Sequence, residues 1–197
     1  MTDENSIFVI RAEPHSWFLI ADELHSQAIN LYADRGQSLT HFRNSESRSY
    51  EEYGNTRTWD MTDRSVFLLG GFALENAIKA FLVYENPNWI SNGRLSSKLR
   101  SHSLTKLQAQ STIIPRKKLS LPTLAAFEAG LESWARYPCG LTANDSERER
   151  VITDQLWSGY MVTMQGYSKN LIRLLKRRWK GPHGHEVRYE ISGDWMS

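Results

Sequence analysis

One apolar stretch constrains the fold of this chain more than any other feature. It runs from Arg64 to Tyr84, reads RSVFLLGGFALENAIKAFLVY, and has the length and composition of a core helix. Glu75 and Lys79 lie in its middle, four residues apart with the acid first, which is the order that favours pairing along a helix face. Because an unpaired buried charge is costly, we expect both groups and Asn76 to meet polar partners.

Helical periodicity recurs on both sides of this stretch. Apolar residues at three- and four-residue steps, with Gly and Pro at the ends of the periodic segments, predict five helices. The predicted helices cover residues 15–34, 60–84, 102–111, 122–137 and 147–180. This pattern indicates an all-α fold, an antiparallel helical bundle of four to five helices.

The remaining segments are polar. Residues 36–62 are predicted to form a long loop, and residues 86–101 form a second loop rich in Ser, Asn and Gly. Residues 181–197 are predicted to form a short irregular tail with weak strand character at residues 187–191. A chain of 197 residues fits a single domain (1–197), with its helical core over about residues 13–180.

Composition excludes several classes of site. The net charge of +2 means that any nucleic-acid-binding surface must be local. The single cysteine, Cys139, excludes an internal disulfide and a cysteine-based zinc site, and we expect its side chain to be buried. The acidic N-terminus is unlike a secretory signal, and the longest apolar run, Val66 to Leu74, covers about half a membrane span. We therefore expect a cytoplasmic protein without a metal, cofactor or membrane partner.

The last predicted helix has two contrasting faces. Its apolar seam and the Gly70–Gly71 pair of the central helix offer more apolar surface than one thin bundle should need. We therefore predict a two-fold homodimer. The seam consists of Trp157, Tyr160, Met164, Tyr167, Leu171 and Leu174. Basic residues on the opposite side could bind a nucleic-acid backbone, although such a stripe is also typical of a solvated helix C-terminus. The stripe consists of Lys169, Arg173, Lys176 and Lys180, and the predicted contacts are Lys169, Arg173, Lys176 and the adjacent Arg177, where the positive charge is densest.

Three stretches in this order carry a resemblance to a known family. They are FLLGGFALENAIKAFLV (67–83), HSLTKL (102–107) and WARYP (134–138). Together they resemble the HEPN superfamily (higher eukaryotes and prokaryotes nucleotide-binding), over about residues 13–178. The resemblance implies a commonly dimeric helical bundle in a bacterial defence or toxin–antitoxin-type system. It also implies RNA, a nucleotide or a protein from the same operon as the partner.

The same stretches predict one polar cluster. Its predicted members are Glu75, Asn76, Lys79, His102, Arg136 and Tyr137. We expect them to form a partly buried network at one end of the bundle, where they could contact a ligand. Purely structural roles are the alternative, with His102 at a helix start and Arg136 fixing its loop to Glu75.

Some HEPN proteins are metal-independent endoribonucleases that use an Arg and a His separated by four to six residues. Matching spacings occur at Arg35–His41 and Arg178–His183, with Arg177–His183 and Arg178–His185 also allowed, but with 16 Arg and six His about 1.5 such matches arise by chance. Both pairs straddle predicted helix ends, and the start of the last helix, where the motif is expected, lacks a histidine. The sequence thus favours a non-catalytic RNA-, nucleotide- or partner-binding module. An endoribonuclease with a displaced Arg–His pair and a purely structural dimeric protein are the alternatives.

Overall fold

The computed structural model describes residues 4–36, 39–43, 56–60, 62–116, 120–137, 139–146, 152–193 and 195. The predicted all-α fold is confirmed. The helices are α1 (Glu4–Ala12), α2 (Pro14–Ala33), α3 (Thr62–Glu85), α4 (Leu104–Ala109), α5 (Ser120–Glu132), α6 (Ala143–Ser146) and α7 (Asp154–Leu175). Short 3₁₀ helices cover Pro87–Ile90, Ser97–Arg100 and Pro182–Gly184.

Two small antiparallel strand pairs accompany the helices. Strand β1 (Leu39–Arg43) pairs with β2 (Thr56–Asp60), so the predicted loop over residues 36–62 is wrong for these ten positions. Residues 44–55 of that segment lie outside the described part. Strand β3 (Trp179–Lys180) pairs with β4 (Glu186–Val187), which places the strand of the tail slightly earlier than predicted.

Helix α3 forms the centre of the bundle. It packs along α2 and also contacts α4, α5 and α7. By length and composition α3 could cross a membrane, yet 78% of its most apolar window is buried inside the bundle. This burial is the pattern of a core helix, and it explains why the apolar residues surround the helix rather than forming one stripe.

The two glycines of α3 admit a neighbouring helix of the same chain. A Cβ atom at Gly70 would lie 2.7 Å from Cε1 of Phe127, and one at Gly71 would lie 2.7 Å from Cγ of Leu131. Both contacts come from α5. The apolar seam of α7 is also covered within the chain, because Tyr160 and Leu171 are fully buried in the core. The dimer remains a prediction, but the two surfaces that suggested it are covered within one chain.

Helix α7 is shorter than predicted. Residues 147–151 lie outside the described part, and α7 begins after Thr153, whose Oγ1 accepts a hydrogen bond from the backbone N–H of Leu156 at 3.2 Å. It ends at Leu175, whose carbonyl accepts the backbone N–H of Tyr189 from the tail at 3.2 Å. The tail therefore occupies the carbonyl that a continuing helix would use, and residues 179–180 form a strand instead.

The tail packs back onto the bundle. The Nε1 of Trp179 donates to the carbonyl of Tyr84 at 3.2 Å, next to the end of α3. The ring of Trp195 lies 5.7 Å from that of Phe18, centroid to centroid, and its carbonyl accepts the hydroxyl of Ser168. The tail thus joins α2, α3 and α7. Cys139, which was expected to be buried, is exposed.

Candidate functional site

Glu75 of α3 holds two basic side chains. Its Oε1 lies 2.5 Å from Nζ of Lys79, and its Oε2 lies 3.0 Å from Nδ1 of His102. Glu75 and Lys79 are each 5% exposed, whereas the side chain of His102 is 56% exposed. The structure thus brings together three of the six predicted cluster members. They form a buried ion pair with one imidazole open to solvent.

An aromatic ring from α2 completes the surroundings of Lys79. Its Nζ lies 5.6 Å from the centroid of the Trp17 ring, a cation–π distance. The Nε1 of Trp17 donates to the carbonyl of Ala12 at 2.9 Å, which fixes the orientation of the ring. Asn76 is directed elsewhere, since its Nδ2 donates to the carbonyl of Phe72 one turn earlier in α3 at 2.7 Å.

His102 is positioned by the start of α4. Ser103 caps this helix, and its hydroxyl donates to Oε1 of Glu128 on α5 at 2.9 Å. The other carboxylate oxygen of Glu128 accepts both the backbone N–H and the hydroxyl of Thr105, each at 2.8 Å. A carboxylate at a helix N-terminus is favourable because it accepts hydrogen bonds from free N–H groups and its negative charge is attracted to the positive end of the helix dipole. Glu128 therefore ties α4, and His102 with it, to the bundle.

Arg136 and Tyr137 lie away from this cluster. Helices α3 and α5 are antiparallel, because Gly70 meets Phe127 while the earlier Phe67 meets the later Trp134. The WARYP stretch therefore lies beside the start of α3, where Arg64 donates to the carbonyl of Tyr137 at 2.5 Å.

Arg64 precedes Glu75 by about 16 Å along the axis of α3. Arg136 is exposed, and within the described residues its side chain makes no hydrogen bond or ion pair with Glu75. The predicted contact between Arg136 and Glu75 is wrong. The reason is the direction of α5, which carries this stretch to the other end of α3.

The two residues of the first Arg–His pair lie in different parts of the fold. Arg35 donates to the carbonyl of Ile152 at 2.6 Å, and its Nε lies 3.8 Å from Oδ1 of Asp63. Its guanidinium also lies 4.3 Å from the centroid of the Tyr32 ring. Arg35 thus connects the end of α2 to the starts of α3 and α7. His41 lies in β1, where the structure describes the backbone only.

The second pair also has separate partners. Nη1 of Arg178 lies 3.4 Å from Oε2 of Glu186, and Nε2 of His183 accepts the backbone N–H of Asn92 at 3.3 Å. His183 has φ of 56°, a left-handed conformation that sets the turn between β3 and β4. Each of these side chains therefore has a contact of its own within the described residues.

The four basic residues predicted at the end of α7 are all exposed, and we call them the basic face. They are Lys169, Arg173, Lys176 and Arg177. Arg173 donates to Oδ1 of Asn170 at 2.9 Å, a neutral partner. Across the described residues, these four cations form no ion pair with a carboxylate. Their positive charge is therefore available to an external anion.

Comparison with known proteins adds no family assignment. No protein-family model, curated protein or solved structure matches the chain. The resemblance to HEPN proteins therefore depends on the three stretches of sequence and remains a prediction. Because one fold class hosts many functions, the all-α fold alone does not assign a function to this chain.

Proposed function

We propose that this chain is a non-catalytic, HEPN-like helical module that binds RNA through its basic face. The observation that carries this proposal is the set of exposed cations at the end of α7 that are not neutralised by described carboxylates. We place it in a bacterial defence or toxin–antitoxin-type system on the HEPN resemblance alone.

The spacing of the basic face supports contact with a phosphate backbone. Lys169, Arg173 and Lys176 follow one another at steps of four and three residues, which places them on one side of the helix. From Lys169 to Arg177 the face extends by about 12 Å along the helix axis. Contacts of this kind are electrostatic and independent of sequence, so binding would weaken as salt displaces the protein from the phosphates.

The environments of the Arg–His pairs favour binding without catalysis. General acid–base cleavage requires an imidazole and a cation to converge on one phosphate. Arg35 is engaged with Asp63 and Ile152, while Arg178 and His183 contact Glu186 and Asn92 respectively. These contacts would have to be rearranged before either Arg could serve a shared phosphate.

Binding of RNA can be tested by fluorescence anisotropy with a labelled single-stranded RNA. We expect Lys169→Gln/Arg173→Gln to weaken binding at low salt and to reduce the slope of log K against log salt by roughly 1.4, about 0.7 per lost phosphate contact. Lys106→Gln/Arg136→Gln is a matched control, because it also removes one exposed Lys and one exposed Arg, from α4 and from the turn that follows α5. Equal effects of the two variants would contradict a local RNA-binding face.

An exposed apolar surface favours protein association as a second candidate function. Ile7 and Ile10 of α1 are 40% and 48% exposed, and Leu19 and Ile20 of α2 are 38% and 47% exposed. The hydroxyl of Ser16 donates to the carbonyl of Ile10, which joins the two helices at this surface. Clustered exposed apolar residues are typical of protein–protein contacts.

Light scattering tests this second candidate. If the surface forms a homodimer, Ile10→Ser/Ile20→Ser should convert a dimer to a 22.7 kDa monomer. A wild-type protein that is monomeric at micromolar concentration would contradict the homodimer.

A further inference from the structure

A stretch of 42 residues that follows α3 contains no acidic residue. Residues 86–127 carry seven Lys and Arg side chains, and all 22 Asp and Glu residues lie elsewhere in the chain. The rest of the chain has 17 basic residues and therefore a net charge of −5. The nearly neutral protein thus combines one strongly basic stretch with an acidic remainder, a separation of charge that favours local contact with an anion.

The first part of this stretch, residues 86–116, folds back along α3, and we call it the cationic layer. It leaves α3 after Glu85 and reaches His102, whose Nδ1 lies 3.0 Å from Oε2 of Glu75. It then returns through α4 to Thr112, whose backbone N–H donates to Oε1 of Glu85 at 2.9 Å. Because Glu75 and Glu85 are about 15 Å apart along the helix axis, the chain passes along this length of α3 twice.

The cationic layer has an apolar inner side and a charged outer side. Five of its apolar side chains are buried in the core, namely Ile90, Leu99, Leu104, Leu107 and Ile114. All five of its Lys and Arg side chains are exposed, namely Arg94, Lys98, Arg100, Lys106 and Arg116. The buried side chains hold the layer against α3, so its positive charges are presented on a fixed support.

These five cations form no ion pair with a carboxylate in the described part of the chain. Arg100 donates to the carbonyl of Leu95, which is a neutral partner. Nζ of Lys98 lies 4.9 Å from the centroid of the Trp89 ring, which is also neutral. Their charge is therefore available to an external anion.

The two carboxylates that border the acid-free stretch are bound to the fold itself. Glu85 accepts hydrogen bonds from the turn that follows α4, and Glu128 accepts them from the first turn of α4. Both acids thus stabilise polar groups beside α4 and leave the exposed cations without a counter-charge from this side.

The character of the layer favours a protein partner over a nucleic acid. Trp89 is its only Trp, Tyr or Phe, and Lys98 lies over the ring, so the described layer offers no such ring for stacking on a base. Its cations are spread over a loop, a helix and a turn, whereas a phosphate backbone is suited to a continuous row. A long polyanion would also meet the acidic remainder of the chain, while a short acidic segment contacts the layer alone.

We propose that the cationic layer binds an acidic segment of a partner protein. A length of about 15 Å matches four to five extended residues at about 3.3 Å each. The guanidinium groups of Arg94 and Arg100 offer paired N–H donors that match carboxylates, and the ammonium groups of Lys98 and Lys106 add flexible positive charge. The inference goes beyond RNA binding and is independent of it, because none of these residues belongs to the basic face.

Fluorescence anisotropy at low salt, with a labelled peptide of about eight alternating Asp and Glu residues, tests the layer. A peptide of the same length made of Asn and Gln is the control for charge. Arg94→Gln/Lys106→Gln should weaken binding of the acidic peptide by about fivefold, since each exposed ion pair contributes modestly. Neither side chain forms a hydrogen bond or an ion pair within the described residues, so we expect this variant to keep the wild-type Tm.

Lys169→Gln/Arg173→Gln is the matched variant, because it removes one exposed Lys and one exposed Arg from the basic face. It should weaken RNA binding and change binding of the acidic peptide by less than about twofold. Equal weakening of peptide binding in the two double variants would overturn the inference. Comparable binding of the Asn–Gln peptide, or no binding of the acidic peptide, would overturn it as well.

RNA provides the remaining outcomes. If RNA displaces the peptide and binds Arg94→Gln/Lys106→Gln more weakly than Lys169→Gln/Arg173→Gln, the layer is a nucleic-acid surface and the inference is wrong. If the peptide binds through the layer while RNA does not bind at all, the inference stands and only the proposed RNA-binding function fails.

Discussion

Glu75 joins the buried centre of α3 to the surface through His102. Oε2 of Glu75 lies 3.0 Å from Nδ1 of His102, whose side chain is 56% exposed, and Oε1 holds the buried Lys79. One carboxylate therefore neutralises a cation in the core and contacts a titratable ring at the solvent boundary. This arrangement determines how the three residues respond to substitution.

Removing the acid should cost more stability than removing the buried base. Glu75→Ala leaves the ammonium of Lys79, 5% exposed, without its carboxylate, and breaking a buried pair in this way costs about 3–5 kcal/mol. Lys79→Met keeps an unbranched apolar side chain beside Trp17 and leaves Glu75 with His102, so the loss should be about half as large. Urea unfolding gives both free energies. A larger loss for Lys79→Met would contradict the assignment of Glu75 as the central residue.

The glycines of α3 give a second prediction about packing. A Cβ at Gly71 would lie 2.7–2.9 Å from three side-chain carbons of Leu131. Gly71→Ala should therefore destabilise the fold by up to about 2 kcal/mol, because an overpacking cost of about 1–3 kcal/mol outweighs the gain of about 1 kcal/mol in helix propensity.

A double-mutant cycle with Leu131→Ala isolates this contact. The smaller side chain makes room for the added methyl group, so the double variant should lose less stability than the sum of the single variants. Additive losses would show that the close approach of α3 and α5 is not the reason for glycine here.

Helices α2 and α3 and the Glu75–Lys79 pair were predictable because their signals are local. Apolar periodicity and end residues placed α2 and α3 within two residues of their observed ends. Residues four apart in one helix meet wherever that helix lies. Trp17 and Glu128 could not be found in this way, because their contacts to Lys79 and Ser103 depend on how α2 and α5 pack.

The wrong predictions concern the direction of a helix and contacts between residues that are far apart in the sequence. Placing Arg136 beside Glu75 required the position of the WARYP stretch along α3, which the antiparallel course of α5 decides. The early end of α7 depends on Tyr189, fourteen residues later in the chain, which hydrogen-bonds to Leu175. Helix α1 was missed because its nine residues are too few for a clear periodic signal.

Acidification should weaken the contact between the tail and α2. Burial lowers the pKa of His15 below its ordinary value of 6.5, an effect that the charge of Glu13 opposes in part. The folded protein therefore binds this proton less readily than the unfolded chain. As pH falls from about 6.5 towards the lowered pKa, the unfolded state gains protons first and stability is lost.

His15→Phe provides the comparison, because it keeps a ring against Tyr189 and removes the titration. Unfolding free energies measured between about pH 7.5 and 5.5 should fall less for His15→Phe than for wild type. Glu13 and His185, which form a hydrogen-bonded pair beside this stack, are retained in both proteins. Parallel pH profiles would show that His15 does not contribute to the loss.

The proposal of binding without catalysis predicts that RNA remains intact. Arg178 and His183 have separate partners in Glu186 and Asn92, and Arg35 connects three helices, so no convergence on one phosphate is expected. Purified protein is incubated with labelled structured RNA in EDTA, beside His41→Ala and His183→Ala. We expect salt-sensitive binding and no cleavage in all three. Metal-independent cleavage by wild type that disappears in either variant would establish an endoribonuclease and overturn the proposal.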